Sequence, residues 1–240
     1  MSSFEEHIPH HNSFSINNPA SILSIEGNIG SGKSTLLEKL KEVYKDDPKM
    51  VFLDEPVKCW NNIKDANNVT MLEKFYGDQD KYSFPFQMMA YISRLAVMKE
   101  AIAKNPGSVF ITERCLYTDK YVFAKMLYDS GKIEDVNYQI YNKWFDTFIT
   151  DFTIKKIIYV KTDPKVAHER TQVRNRNGES SISLEYLDGC HTYHENMMVE
   201  MTKKYADVVT LDGNVNIYDN PDRLKEWIDS IDQELVKMKS

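Results

Sequence analysis

Short apolar runs alternate with longer amphipathic stretches along the chain after residue 20. Each apolar run is four or five residues long, which is typical of a buried strand. The runs lie at residues 21–25, 50–54, 109–112, 156–160 and 208–211. Strands that alternate with helices predict an α/β fold, in which a doubly wound parallel sheet of five strands is flanked by helices.

Helical patterns fill the intervals between these runs. The clearest pattern predicts a helix that begins near Phe84 and ends at residues 105–107, where Asn, Pro and Gly follow one another. Its apolar face is predicted from residues at spacings of three and four, which are Met88, Tyr91, Leu95, Met98 and Ile102. The other predicted helices run to about residue 45, cover residues 118–129, 133–149, 183–205 and 220–237, and begin at Pro164.

A glycine-rich segment joins the first strand to the first helix. It reads Gly27-Asn28-Ile29-Gly30-Ser31-Gly32-Lys33-Ser34-Thr35. Its spacing fits the phosphate-binding loop in the strand-to-helix setting that this loop requires. Its backbone N–H groups would surround the phosphates of a nucleoside triphosphate, with Lys33 at the terminal phosphates and the Ser34 hydroxyl on Mg²⁺. The alternative, a glycine-rich turn followed by a chance Lys-Ser, fits the flanking strand and helix poorly.

Composition narrows the classes of partner and the compartment. A net charge of −6 and a pI near 5.6 argue against a nucleic-acid polymer or an anionic membrane as the main partner. Three widely spaced cysteines form no disulfide framework and favour a reducing compartment, so we expect a cytoplasmic protein. Residues 1–20 are polar, contain no Lys or Arg, and are expected to be a flexible tail before one domain at 21–240.

Charged residues follow two of the predicted strands, where ligands bind in parallel α/β sheets. Glu55 comes after the second run, and Glu113 and Arg114 follow the third. A group of arginines lies near residue 174, and no Asn-Lys-x-Asp motif for guanine is present. This combination favours a kinase that acts on a small substrate with a hydroxyl group.

Further motifs occur in a fixed order along the chain. They are residues 27–35, Glu55-Pro56-Val57 with Trp60, Phe86-Gln87, Ser93-Arg94-Leu95, Glu113-Arg114, Tyr117-x-Asp119-x-Tyr121, Arg170-x3-Arg174-x-Arg176, Leu184-Glu185-Tyr186-Leu187 and Thr210-Leu211-Asp212. In these motifs the chain resembles the deoxynucleoside kinase family, the deoxycytidine and deoxyguanosine kinase group in particular. The resemblance extends from residue 20 to the last predicted helix. It implies transfer of the ATP γ-phosphate to the 5′-hydroxyl of a 2′-deoxynucleoside, in nucleotide salvage.

The resemblance also implies catalytic roles. Glu55 would accept the proton of the 5′-hydroxyl, and Arg114 would hold that carboxylate and the phosphoryl oxygens. Glu113 would place Mg²⁺ together with Ser34, and it is also the alternative candidate for the base. An arginine-rich lid at about residues 170–182 would close over the triphosphate through Arg170, Arg174 and Arg176. Asn214 and Asn216 would lie beside the adenine of ATP.

A second set of residues would bind the nucleoside. Arg94 and Asp119 would form the pair that favours cytosine or purines over thymine, and Gln87 would bind the edge of the base. The remaining members of the set are Phe86 and Phe123 on the two faces of the base, Ile29 and Leu72 beside it, and Tyr76 and Glu179 at the 3′-hydroxyl. Met88, Met89, Cys115 and Lys120 depart from the family pattern, so the resemblance does not fix the shape of the pocket.

The resemblance further implies a homodimer that pairs through the helix near Phe84 and its neighbour near Thr118. Two other functions remain open at this stage, a nucleoside monophosphate kinase and a phosphate-loop nucleotide sensor without turnover. Cys190-His191-x2-His194 has some of the residues of a zinc site, but it falls inside a predicted helix with no fourth ligand nearby, which favours packing.

Overall fold

Five parallel strands form the centre of the molecule. The computed structural model describes residues 20–174 and 179–239. The strands are β1 Ser21–Glu26, β2 Met50–Leu53, β3 Val109–Glu113, β4 Ile154–Lys161 and β5 Asp207–Asp212. Their order in the sheet is β2-β3-β1-β4-β5, and every neighbouring pair is parallel. The predicted α/β fold with a five-stranded parallel sheet is therefore confirmed.

Helices connect the strands and cover both faces of the sheet. They are α1 Lys33–Val43, α2 Val57–Asn62, α3 Met71–Gly77, α4 Gln79–Lys104, α5 Leu116–Thr118, α6 Lys125–Asp129, α7 Asp135–Phe148, α8 Pro164–Arg174, α9 Leu184–Lys204 and α10 Pro221–Lys239. A π-helical segment, Asp119–Ala124, joins α5 to α6 without a break. None of the helices in the described ranges is both long and apolar enough to cross a membrane.

The predicted start of α4 is wrong. This helix begins at Gln79, five residues before the predicted start at Phe84, because the Asp78 side chain accepts a hydrogen bond from the Lys81 backbone N–H and caps it. Pro85 lies inside the helix rather than at its beginning. The predicted helix at 118–129 likewise begins earlier, at Leu116, and contains the π-helical segment.

Side chains of the central strand β1 belong to two apolar cores, one on each face of the sheet. Ile22 belongs to an apolar core formed with α4, α7 and α9, whereas Leu23 and Ile25 belong to a second core formed with α1 and α10. Each such fully buried aliphatic side chain contributes about 1.5–3 kcal/mol to stability. Ile25 pairs with Glu113 of β3, so the segments that follow β1 and β3 start side by side at one edge of the sheet.

Candidate active site

The phosphate-binding loop follows β1, and its conformation requires glycine at two positions. Gly27 has a φ of +144°, and a Cβ atom there would lie 2.6 Å from the carbonyl oxygen of Val160. Gly30 has a φ of +79°, and its Cβ would lie 2.4 Å from the Ala167 carbonyl oxygen. The Asn28 side chain donates a hydrogen bond to the Leu187 carbonyl at 2.8 Å and so ties the loop to α9.

Lys33 begins α1 and folds back into this loop. Its Nζ donates to the Asn28 carbonyl at 2.6 Å and lies 3.4 Å from Ser31 Oγ. Burial, together with the positive charge of Arg114, lowers the pKa of Lys33 to about 7, against the opposing effect of Glu113 and Glu55. The ammonium group therefore lies at a helix N-terminus and has only neutral hydrogen-bond partners, an arrangement that suits an anionic ligand.

Ser34 and Glu113 form the place where a divalent cation would bind. Ser34 Oγ donates to Glu113 Oε1 at 2.8 Å, across the gap between α1 and the end of β3. A hydroxyl next to a carboxylate is the donor set that Mg²⁺ prefers, so the two residues fit the predicted ion. Thr35, the next residue, lines the cavity that is described below.

Glu55 lies where two arginines meet. Arg114 Nη1 donates to Glu55 Oε1 at 2.6 Å, and Arg94 Nη2 donates to the same oxygen at 3.2 Å. Burial alone would raise the pKa of Glu55, but Arg114, Arg94 and Lys33 outweigh it and lower the pKa to about 2. Glu55 is therefore ionised throughout the neutral range, and its Oε2 accepts no hydrogen bond from any residue in the described ranges.

Arg94 also holds the second buried carboxylate, Asp119. Its Nε donates to Asp119 Oδ2 at 2.9 Å, and its Nη1 donates to the Glu113 carbonyl at 2.8 Å. Burial raises the pKa of Asp119, although the charge of Arg94 acts in the opposite direction. Gln87 lies about two turns earlier on α4 and is only 2% exposed.

A cavity of about 460 Å³ joins the phosphate loop to these side chains. Aromatic rings form much of its far wall: Phe86 stacks on Phe75 with ring centres 4.4 Å apart, and the Arg114 guanidinium lies 5.2 Å from the centre of the Phe123 ring. The other residues predicted to contact the nucleoside also line the cavity, namely Ile29, Leu72, Tyr76 and Glu179.

The predicted lid is described only in part. Arg174 donates to Glu179 Oε2 through Nε at 3.0 Å and Nη2 at 2.7 Å, whereas Arg176 lies outside the described residues. Arg170 Nη1 donates to the Gly213 carbonyl at 2.7 Å.

The predicted adenine-binding segment follows Gly213. The Asn214 side chain is not among the residues that line the cavity and accepts a hydrogen bond from the Asp163 backbone N–H. Asn216 lines the cavity but donates its amide to Asp219, at 2.6 Å.

Several residues near the site were given no role in the sequence analysis. Glu26 is fully buried and accepts hydrogen bonds from Ser24 Oγ at 2.5 Å and Thr118 Oγ1 at 2.6 Å. A carboxylate at the end of a buried strand could have indicated such a polar contact. Tyr186 and Trp227 also line the cavity, and the position of Trp227 on the distant helix α10 has no local sequence signature.

The Cys190-His191-x2-His194 motif, for which packing was favoured over a zinc site, lies on α9. Cys190 and His194 are buried, and the Nδ1 atom of His194 lies 2.7 Å from the Cys190 carbonyl. Burial lowers the pKa of His194 to about 3, so the ring is neutral. Across the described part of the chain, no three His, Cys, Asp or Glu side chains form a group that could hold a metal ion.

A parallel sheet with a phosphate loop, a carboxylate fixed by arginines and an adjoining cavity for a small molecule defines a kinase that transfers a phosphoryl group. A family model described as "Deoxynucleoside kinase" matches residues 23–237. The chain therefore belongs to the deoxynucleoside kinase family and is an ATP-dependent enzyme.

Curated relatives agree with this family. The chain is 34% identical over 214 residues to a probable deoxycytidine kinase of fowlpox virus. This alignment covers 87% of the chain and 86% of the relative. It is 32% identical over 204 residues to the mitochondrial deoxyguanosine kinase of Xenopus laevis, covering 78% and 75%. It is also 31% identical over 182 residues to mitochondrial thymidine kinase 2 of Macaca fascicularis, covering 75% and 65%.

Proposed function

We propose that the protein transfers the γ-phosphate of ATP, with Mg²⁺, to the 5′-hydroxyl of deoxycytidine or a purine deoxynucleoside rather than thymidine. The observation that carries this proposal is the position of Glu55. Arg114, which holds its carboxylate, also approaches the Gly27 carbonyl of the phosphate loop at 3.4 Å. Arg94, on the same oxygen, holds Asp119 of the nucleoside end. Glu55 would thus lie between the two substrates.

In this reaction the 5′-oxygen forms a bond to the γ-phosphorus, the bond from that phosphorus to the β-γ bridging oxygen breaks, and the hydroxyl proton goes to Glu55. Both arginines donate to Oε1, which leaves Oε2 for the proton. A carboxylate with a pKa of about 2 is a weak base. Because the transition state of phosphoryl transfer is loose, orientation of the hydroxyl and the charge of Arg114 contribute more than proton removal. Glu113 is the less favoured base because its carboxylate, beside the Ser34 hydroxyl, is the proposed ligand of Mg²⁺. Mg²⁺ held by Ser34 and Glu113 would neutralise charge on the phosphates.

The base preference is supported by the buried pair of Arg94 and Asp119. Arg94 is 4% exposed and Asp119 is 2% exposed, and together with Gln87 they offer both donors and acceptors to a base edge. The relatives named above include deoxycytidine, deoxyguanosine and thymidine kinases, so their names do not choose among bases. Phe86 and Phe123 would contact the faces of the base, and Tyr76 and Glu179 the 3′-hydroxyl.

The donor end is proposed to bind the triphosphate through backbone groups of residues 27–35 and through Lys33. Arg170, Arg174 and Arg176 would act as the lid at about residues 170–182. Asn214 and Asn216 would shape the segment beside the adenine through their hydrogen bonds within the protein rather than by direct contact.

Initial rates of phosphorylation with ATP and Mg²⁺, measured for all four deoxynucleosides at one concentration, test the proposal. We expect turnover of deoxycytidine, deoxyadenosine or deoxyguanosine at least about tenfold above that of thymidine. Thymidine as the best substrate would contradict the preference but keep the reaction. Phosphorylation of deoxynucleoside monophosphates alone would replace it with a monophosphate kinase, and ATP binding without turnover would indicate a sensor.

We also propose that two copies pair through α4 and α7. Apolar side chains are exposed on both helices, with Ile92 on α4 and Val136, Ile140 and Trp144 on α7. The segment near Thr118 has its large apolar side chains mostly buried, so α7 is the better candidate for the second helix. Sedimentation of the wild type and of Ile140→Glu would test this, with a dimer expected only for the wild type.

The three free cysteines remain our reason to place the protein in the cytoplasm, which imaging would check.

A further inference from the structure

Arg114 has an unusual backbone conformation, and all but one of its nitrogen atoms are hydrogen-bonded within the protein. Its φ of +62° lies in the left-handed region, which residues with a Cβ atom rarely adopt. The backbone N–H donates to the Ile25 carbonyl at 3.0 Å, Nη1 donates to Glu55, and Nη2 lies 3.4 Å from the Gly27 carbonyl. The buried Nε atom has no hydrogen-bond partner among the described residues.

A second buried polar atom without a partner lies nearby. Thr112, two residues earlier on β3, is 2% exposed, and its Oγ1 makes no hydrogen bond to any residue in the ranges 20–174 and 179–239. Leaving a buried hydrogen-bonding group unpaired is unfavourable, so each of these two atoms needs a partner that the protein does not supply in the described ranges.

Both residues line one small cavity behind the active site. Its volume is about 10 Å³, and its wall also includes Met98 of α4 and Leu53 of β2. A volume of about 10–15 Å³ is the least that holds a water molecule, and a bound water needs two or more polar partners. The cavity reaches this volume, and the two residues with unpaired atoms line it: Arg114, whose Nε–H can donate, and Thr112, whose hydroxyl can donate or accept.

We propose that this cavity is a hydration site for one water molecule. That water accepts a hydrogen bond from Arg114 Nε–H and forms a second hydrogen bond with the Thr112 hydroxyl. The water would complete the hydrogen bonds of Arg114 and fix the plane of its guanidinium group. Thr112 is then a positioning residue that acts on Glu55 through Arg114. The effect on catalysis rests on the proposed function, whereas the site itself does not.

Three variants separate this proposal from a hydroxyl that is simply unpaired. Thr112→Val keeps the shape of the side chain but removes the hydroxyl, and Thr112→Ser keeps the hydroxyl. Tyr141→Phe is the matched control, since the Tyr141 hydroxyl is also buried without a described partner but does not line this cavity. Removing an unpaired hydroxyl is neutral or stabilising, whereas removing one partner of a bound water leaves the other unsatisfied.

The direct measurement is NMR of protein labelled with ¹⁵N-arginine, with Arg114→Lys used to assign the Arg114 Nε–H signal. We expect a cross-peak from this proton to a long-lived water in the wild type and in Thr112→Ser, and none in Thr112→Val. Thermal unfolding should show Tm lower by about 2–4 °C in Thr112→Val and unchanged or higher in Tyr141→Phe. Absence of the cross-peak in the wild type would overturn the proposal even if Thr112→Val did not fold.

Steady-state kinetics test the positioning role. The kcat of Thr112→Val should fall about two- to tenfold, with the KM for the nucleoside unchanged and kcat restored in Thr112→Ser. An unchanged kcat in Thr112→Val would overturn the positioning role. Absence of turnover in the wild type with any deoxynucleoside would refute the proposed function instead, and the NMR and unfolding results would still decide on the water.

Discussion

The two ends of the cavity bind their ligands by opposite electrostatic means. At the phosphate end, the hydrogen-bond partners of Lys33 among the described residues are a carbonyl and a hydroxyl, and burial together with the charge of Arg114 lowers its pKa to about 7. At the nucleoside end, the two buried cations Arg94 and Arg114 are paired with the two carboxylates Glu55 and Asp119. Lys33 forms no ion pair with any residue in the described ranges, although Glu113 and Glu55 raise its pKa, whereas Arg94 and Arg114 are paired with carboxylates within the protein.

Each arrangement matches its ligand. A triphosphate supplies negative charge, so the loop needs backbone N–H groups and a cation that have not already been neutralised. A nucleoside is uncharged, so the opposite end needs hydrogen-bonding groups held in place without a net charge facing the base. The comparison predicts that substitutions which disturb the charge balance will have their largest effects at the nucleoside end.

The largest effect is expected for Glu55→Gln. This change removes the proton acceptor and leaves Arg94 and Arg114 with one carboxylate fewer. We expect kcat to fall about 10²- to 10⁴-fold with little change in KM, measured by steady-state kinetics. Glu42→Gln, on the exposed face of α1 where Glu42 pairs with Lys39, is the control and should retain full activity. A fall in kcat of less than about tenfold would indicate that Glu113, not Glu55, is the base.

Substitution of the specificity pair comes next. Arg94→Met alone leaves Asp119 buried without its partner and should cost about 3–5 kcal/mol in the free energy of unfolding. Arg94→Met with Asp119→Ala removes both charges, so stability should largely return. Thymidine turnover relative to deoxycytidine should rise about 10- to 100-fold in the double variant. Unchanged discrimination there would show that the base binds elsewhere.

A backbone substitution at the phosphate end should have a smaller effect. Gly27→Ala places a Cβ against the Val160 carbonyl, and we expect a loss of about 1–3 kcal/mol in stability together with weaker ATP binding. Gly77→Ala is the matched control, because that residue lies at the end of α3 with nothing within 4 Å of the added atom. Calorimetric unfolding should show the control neutral or slightly stabilised. Equal losses in both variants would refute the steric argument.

The smallest expected effect is the uptake of a proton by Lys33 when ATP binds. With a pKa near 7, Lys33 is mostly neutral at pH 8, and the phosphates of ATP should raise this pKa on binding. ATP binding at pH 8 should therefore take up as much as about one proton, and affinity should weaken as pH rises from 7 to 9. Titration calorimetry in buffers of different ionisation enthalpy measures the uptake. Lys33→Arg should take up none, and identical heats in all buffers for the wild type would contradict the prediction.

The sequence predicted the phosphate end more completely than the nucleoside end. The loop at residues 27–35 is contiguous and depends on glycine, so its spacing carries its conformation. The contact between Glu55 and Arg114 follows from strand ends that meet at one edge of a parallel sheet. The pair of Arg94 and Asp119 was suggested only by family resemblance, because residues on separate helices share no local pattern.

Some structural features could not be inferred from local patterns. Pro85 and the polar residues before it concealed the true start of α4, although the capping residue Asp78 was visible. The π-helical segment has no distinguishing composition, since its geometry is imposed by packing. The buried contacts of Glu26 and the cavity beside Thr112 depend on tertiary structure alone.

The π-helical segment Asp119–Ala124 bears on how this chain tolerates insertions and deletions. Such a segment is in effect an α-helix that has accommodated an extra residue. Asp119 and Phe123 both face the cavity from it. Deleting one residue between them would leave a regular helix with its hydrogen bonds intact, yet would rotate one of the two side chains by about 100°. In an aligned relative, a gap of one position here would therefore mark a change of substrate pocket, not of loop length.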